Sequence, residues 1–469
     1  MTGSRTIRTI TLTTMAIIAL MAILMLLPTY DDWNTLSSPN NDPHWQKYFL
    51  PIGSFWRPFD ALFGYLSALH PLLLFPSLNH VCIVVGHLIS TWLVYRIARQ
   101  LRFSTMAASV AALFFCICPC VLPTILACDA LNQTYSQLWG LLALLAYLTL
   151  TGRHRHIAWA VCVLIAALSK ENGLAWAVVP PIVGYAFKLA DRRELRRQLL
   201  FGIAIAIAYA VVRLSLPHTD PYNTDYQPFA VMKKVKETAM LIATTWLSAD
   251  YASLVHQPIR NIPLFLLTLL LSLPFTVMLL LALRKETIRQ AALLLLCALI
   301  TVSPNILLSL SMMNAYAWMG MTAFLIALLT DSYRHRQRLV RVVTTLFILS
   351  STITAVHYWY LSWKSGLMGK EMAQRTIALT GQPVNKAYCL IIEDDSPRFS
   401  SICVRPSDTF GWGIAVKHEN AYKWPAVITD TIVPRTTTQP DIRHIARQAL
   451  AGGYDCVWIV DKNNIKVIR

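Results

Sequence analysis

The feature that most restricts this chain is a series of apolar runs, too long and too many for a soluble core. Runs of roughly 14 to 23 residues number about eleven. They fall near 10–29, 79–97, 104–122, 135–151, 156–169, 173–189, 199–216, 263–283, 291–310, 315–330 and 339–361. In hydrocarbon no water satisfies backbone N–H and C=O groups, so each run must close its hydrogen bonds within itself, as a helix. At 1.5 Å per residue, about 20 residues cross a bilayer core of about 30 Å. The expected fold class is therefore an all-α polytopic membrane protein. Its charged fraction of 14% agrees, since soluble domains carry about 25%.

A net charge of +17 would suit nucleic acid if it formed one patch, but it is spread over alternate connections between the runs. These hold Arg5 and Arg8; Arg96, Arg99 and Arg102; Arg153 and Arg155; Lys188, Arg192, Arg193, Arg196 and Arg197; Arg284, Lys285 and Arg289; and Arg334, Arg336, Arg338 and Arg341. The acidic residues among them are Asp191, Glu194, Glu286 and Asp331. The basicity is thus a topology signal that keeps these connections cytoplasmic, against an anionic leaflet, and no nucleic acid is expected. The N-terminus is then cytoplasmic, and an odd number of spans puts the C-terminus outside. The first run is longer than a signal-peptide core and no small-x-small cleavage site follows it before Tyr30, so it reads as an uncleaved anchor. The expected location is a membrane such as the bacterial inner membrane.

This orientation leaves two sizeable extracytoplasmic loops, about 30–77 and 217–261, rich in Trp, Tyr and Pro. The stretch Met240 to Leu247 reads as an interfacial helix or part of an extra span. After residue 361 the composition changes, dividing the chain into a transmembrane module (1–361) and a small extracytoplasmic α/β domain (362–469). Tyr388 to Ile392 and Cys456 to Val460 read as buried strands, and Ile442 to Ala451 as a helix closed by Gly452-Gly453. A helix-then-strand ending favours a partly parallel sheet. Cys116, Cys118 and Cys120 alternate near the end of the third run; they read as small hydrophobes or as metal ligands. Cys389, Cys403 and Cys456 fall in the tail, where an oxidising compartment would let one pair form a disulfide.

Asp31 and Asp32 follow the first run directly, where idle charge is least tolerated. Two carboxylates at a membrane face can take a proton from an attacking hydroxyl or bind a divalent cation. The same loop carries Trp56-Arg57-Pro58, and Asn79-His80 leads into a helix with His87 one heptad on. Arg57 suits an anion clamp, because its guanidinium fork matches phosphate oxygens; alternatively it only pairs with one of the loop's acids. Asp129 is the only charged residue between Pro119 and Thr134. Lys170 and Glu171 interrupt apolar sequence, either to serve a polar cavity or to neutralise each other. Arg213 follows an uncharged run from Gln198 to Val212; it reads as a phosphate ligand or as a side chain snorkelling to the interface.

The order of Asp31-Asp32, Trp56-Arg57-Pro58, Asn79-His80 with His87, Leu93-Val94-Tyr95-Arg96, Ser169-Lys170-Glu171, Tyr209 to Arg213, and Tyr316 resembles the GT-C class of membrane glycosyltransferases. It is most similar to the branch holding the TMTC proteins, other protein O-mannosyltransferases and the bacterial aminoarabinose transferases. The resemblance implies a polyprenyl-phosphate-linked sugar as donor and inverting transfer to an extracytoplasmic glycan, lipid or protein acceptor. Carried over by position, Asp31 or Asp32 is the catalytic base, Asp32 or Asp129 a ligand if a divalent metal is used, and Arg57, Lys170 and Arg213 hold the donor phosphate. Trp56, His80, His87, Glu171 and Tyr316 are further site candidates.

Two departures stand out. The family's His-Pro-x-x-Thr-Glu pattern appears as Cys118-Pro119 with Pro123 and Thr124, without the glutamate, which weakens a metal role. The Glu-Arg expected before the late Tyr appears as Asn314-Ala315. Alternatives are a glycan ligase or polymerase using a lipid-diphosphate donor, and a lipid or solute transporter. Against a transporter, the chain shows no duplicated halves and its charges sit at a face, not at mid-membrane.

Overall fold

The computed structural model describes residues 78–127, 130–217, 231–255, 258–306, 315–392, 423–461 and 464–469, with short pieces at 9, 12–13, 16–17, 49–51, 56–59, 62, 416–417 and 419–420. Within these, every apolar run from the second onward is helical. In chain order the helices are α1 (Leu78–Gln100), α2 (Thr105–Ile117), α3 (Leu131–Thr149), α4 (Gly152–Ser169), α5 (Val179–Ala186), α6 (Arg192–Ser215), α7 (Val231–Trp246), α8 (Pro258–Leu281), α9 (Lys285–Ile306), α10 (Tyr316–Asp331) and α11 (Gln337–Thr380). The first apolar run lies almost wholly outside the described residues.

Four helices, α1, α6, α8 and α11, are long and apolar enough to cross a membrane alone. Helix α2 makes a fifth when joined to its continuation Pro119–Ile125, bent by 43°. Eleven full-length spans are therefore not what the described residues show; long spans are mixed with shorter apolar helices. Proline explains part of the difference. Pro119 has no N–H to continue α2 and disfavours helical geometry at Cys118, which is extended at ψ 131. The run 173–189 is likewise divided into a 3₁₀ stretch, Glu171–Ala177, and α5, with Pro180 near its start.

Side-chain caps set several starts. Ser104 accepts from Ala107 N at the head of α2, and Asp191 accepts from Glu194 N at 2.7 Å at the head of α6, each satisfying an orphan first-turn donor. Helix α10 lies at the centre, with every residue from Tyr316 to Thr330 buried. Phe114 of α2, Phe275 of α8 and Phe347 of α11 stack nearby, with centroids 4.6 to 6.5 Å apart. At the perimeter, Ile207, Val211 and Leu214 of α6 and Leu266, Leu270, Leu280 and Leu281 of α8 are exposed. So broad an apolar surface is compatible with insertion in a membrane.

The helix ends sort into two sets. One gathers the head of α1, the head of α3 and the tail of α4, since His80 meets Ile125 O at 3.0 Å and Lys170 reaches Asn132 at 3.4 Å. The opposite end gathers the basic connections: Asp331 accepts from Ser104 N, and Arg155 meets Glu194. Met240 to Trp246 belong to helix α7, which leads the chain into the bundle, where Thr244, Thr245, Ser248, Asp250 and Ser253 are buried. Hydrogen bonds hold this inward segment. Cys120 Sγ meets Thr245 Oγ1 at 3.1 Å, Thr276 donates to Trp246 O, and Ser350 donates to Ser248 O and Thr268 O, both at 2.7 Å.

Helix α11 runs on past residue 361 to Thr380 and ends at Gly381, whose φ of +68° suits glycine. The tail forms β1 (Lys386–Ile392), β2 (Val427–Val433), α12 (Gln439–Ala451), β3 (Cys456–Asp461) and β4 (Asn464–Ile468). The sheet order is β2-β1-β3-β4, with β1 parallel to both β2 and β3, and β4 antiparallel. Met372 and Ala373 of α11 join Cys389, Cys456 and Trp458 in one layer of its core; Ile442 and Ala446 of α12 join Leu390 and Val457 in the other.

Candidate functional site

Five of the residues singled out in the sequence meet at the end of the bundle away from the basic connections. Arg57 grips Glu171 through Nε at 3.1 Å to each carboxylate oxygen and Nη2 at 2.8 Å to Oε2. Both side chains are mostly buried, 21% and 27% exposed. Glu171 is thus one partner of Arg57, and Lys170 does not neutralise that glutamate by contact; it is buried and reaches Asn132 Oδ1. Local backbone explains the divergence. Helix α4 stops at Ser169, Lys170 is extended (φ −158°, ψ 145°), and the following 3₁₀ turn sends the neighbouring side chains to different partners.

Trp56 is fixed on both sides. Its indole N–H donates to Phe49 O at 3.0 Å, and its ring packs on Tyr209 of α6 at 5.4 Å. Tyr209 lies within electrostatic reach of Glu171, Arg213 and Arg57. Arg213 is four residues beyond Tyr209, hence on the same face of α6, and is half-buried. Two cations, Arg57 and Lys170, therefore act on the Glu171 carboxylate, with Arg213 on the far side of Tyr209. Burial alone would raise Glu171's pKa, but the Arg57 charge and hydrogen bonds, with Lys170 behind them, outweigh it and hold the carboxyl below its ordinary value. Glu171 is a poor base for that reason; what it can do is hold the Arg57 guanidinium in place.

His87 and Tyr316 also meet, but in the middle of the bundle. His87 Nδ1 is 2.9 Å from Tyr316 Oη, Nε2 is 3.0 Å from Cys116 O, and the imidazole stacks on Phe115 at 5.3 Å. Both residues are fully buried, and their bonds join α1, α2 and α10. His80 is likewise buried, with Nε2 on Ile125 O at 3.0 Å. The three alternating cysteines are enclosed: Cys118 Sγ approaches Thr244 O and Thr245 O at 3.9 and 3.8 Å, beside the Cys120–Thr245 contact. No group of three His, Cys, Asp or Glu able to hold a metal ion occurs among the described residues. Asp31, Asp32 and Asp129 lie outside those residues.

One pair escaped the sequence reading. Asp250 is fully buried and accepts from Ser253 N at 3.3 Å, Ser253 Oγ at 3.0 Å and His357 Nδ1 at 2.5 Å. The signal was available in principle: His357 interrupts the last apolar run, and intramembrane ionisable residues usually have partners. Asp250 itself lies in the stretch 217–261, which reads as an extracytoplasmic loop in sequence. In the cytoplasmically expected half, Arg155 and Arg197 share Glu194, and Arg289 lies over Tyr185 at 4.9 Å.

No known protein-family model matches the chain, and no curated protein matches it. Among solved structures, one of an oligosaccharyltransferase from Archaeoglobus fulgidus, in complex with zinc and sulfate, is similar with a TM-score of 0.44 and 14% sequence identity. The match covers 88% of this chain and 62% of that one, so the chain spans less than two thirds of that protein's length. A likeness this distant has no bearing on activity.

Proposed function

We propose that this chain is an integral-membrane glycosyltransferase of the GT-C class, moving a sugar from a polyprenyl-phosphate donor to an extracytoplasmic acceptor with inversion. The observation that carries this reading is that Arg57 and Lys170 act on Glu171 and that Arg213 reaches the adjoining Tyr209, at one end of an apolar bundle. In sugar transfer negative charge builds on the departing phosphate, and fixed cations there stabilise the transition state. Cations gathered beside lipid-facing helices suit a leaving group that is a phosphate on an apolar tail.

In the proposed reaction the acceptor oxygen bonds to the anomeric carbon as the bond from that carbon to the phosphate oxygen breaks. A carboxylate of Asp31 or Asp32 takes the acceptor's proton, and the phosphate leaves with its charge held by the three cations. Glu171 positions Arg57, and Trp56 fixes the preceding backbone against Tyr209. The basic connections set this end outward under the positive-inside rule, which puts the α/β domain on the acceptor side.

Membranes containing the protein, given labelled sugar on polyprenyl monophosphate, test the reading directly. Transfer should be lost in Asp31→Asn or Asp32→Asn at unchanged protein abundance, and a donor with two phosphates should be poor. Full activity in both variants refutes the base assignment. Lipid movement without covalent product refutes the enzyme reading.

A further inference from the structure

At the opposite end of the bundle a cavity of about 340 Å³ opens between the head of α2 and the connection from α10 to α11. That volume falls in the range of small-molecule sites, about 300–1,000 Å³. Its polar lining includes Ser104, Thr105, Arg334, His335, Gln337 and Arg341. Among the described residues neither Arg334 nor Arg341 has a carboxylate within 4.0 Å. The nearest acid in sequence, Asp331, is engaged by Ser104 N at 3.0 Å and pairs with neither arginine. Arg334 Nε instead donates to His335 Nε2 at 3.1 Å, and Arg341 Nε makes only a long bond, 3.4 Å, to Gln337 O. The terminal guanidinium nitrogens are thus available to an anion with several acceptor oxygens.

The apolar surroundings indicate which anion. Leu339 and Val342, in the same first turns of α11, are exposed at 41% and 59%, and Met106 lines the cavity. A phosphate entering here would be flanked by side chains that face acyl chains. Basic pockets between helices at this depth bind anionic lipid headgroups.

We infer that the cavity bounded by Arg334, His335, Arg341 and the head of α2 is a binding site for the phosphate of an anionic membrane lipid, separate from the Arg57–Glu171 cluster. Its ligand is a phosphodiester or phosphomonoester carrying acyl chains, and not free phosphate, because exposed Leu339 and Val342 stand beside the polar lining.

The test uses the full-length protein in phosphatidylcholine nanodiscs titrated with fluorescent phosphatidylglycerol. Arg334→Gln and Arg341→Gln should each weaken binding about fivefold, and the double variant about twenty-fivefold, at roughly 1 kcal/mol per surface cation. Arg338→Gln, a neighbouring cation outside the lining, serves as the control and should leave affinity unchanged. Thermal unfolding of each variant verifies folding, since both arginines are surface side chains. Wild-type affinity in the folded double variant overturns the site. Equal loss in the Arg338 variant also overturns it, by reducing the effect to general surface charge. Displacement of the lipid by equimolar inorganic phosphate overturns the lipid assignment.

Discussion

Arg57 and Glu171 can be separated into a structural pair and a donor clamp by a double-mutant cycle. With 21% and 27% exposure and three contacts between 2.8 and 3.1 Å, the pair lies between two limits. Exposed pairs contribute about 0–1 kcal/mol, whereas breaking a fully buried pair costs about 3–5 kcal/mol. Removing either partner alone should therefore cost about 1–3 kcal/mol, a fall of a few degrees in Tm for a chain of this length. Arg57→Gln leaves a desolvated carboxylate and Glu171→Gln an unanchored cation; the double variant leaves neither, so about half or more of the lost stability should return. Activity should behave differently. If Arg57 holds the departing phosphate, its loss costs about 10²–10³ in kcat, as for removal of one preorganised donor to a developing oxyanion, and Glu171→Gln cannot restore a missing guanidinium. Unfolding curves in detergent and initial rates with labelled donor give both quantities for all four proteins. Stability and activity returning together in the double variant would refute the clamp and leave Arg57 as a counter-ion.

The pH dependence follows from the same pair. Glu171's carboxyl is held below its unfolded value of about 4.5, so its contribution is complete above that pH and fades as pH falls through the lower folded value; Glu171→Gln should abolish this acid-side loss in unfolding scans. Tyr316→Phe removes the hydroxyl beside His87 and should cost about 1–3 kcal/mol of stability, as for a buried group left unsatisfied, with the donor KM unchanged; a raised KM would place His87 and Tyr316 in the site. Gly202→Ala would bring a methyl to 1.8 Å from Ala177 O, so helix α6 must shift at a cost of about 1–3 kcal/mol. Lowered Tm and a weaker response to donor should appear together, because α6 carries Tyr209 and Arg213.

The sequence by itself determined the helices, the basic end and the types of residue at the candidate site. Those features are local: a run's hydrophobicity and its internal hydrogen bonds require no knowledge of neighbours. Strands β1 and β3 and helix α12 were readable for the same reason, from short buried runs closed by Gly453 at φ +88°. Which side chains meet was decided only by tertiary structure. Arg57 and Glu171 are 114 positions apart, and His87 and Tyr316 are 229 apart; the first contact depends on how a loop meets a helix end, the second on how two helices are rotated and how deep they sit. Rotation also separated Lys170 from Glu171, since one residue of extended backbone at a helix end redirects adjacent side chains. The partners of the segment from Thr244 to Ser253 are not legible from its own polar composition. Its hydroxyls and Asp250 are satisfied inside the bundle by Cys120, Thr268, Ser350 and His357, partners that only the folded packing supplies.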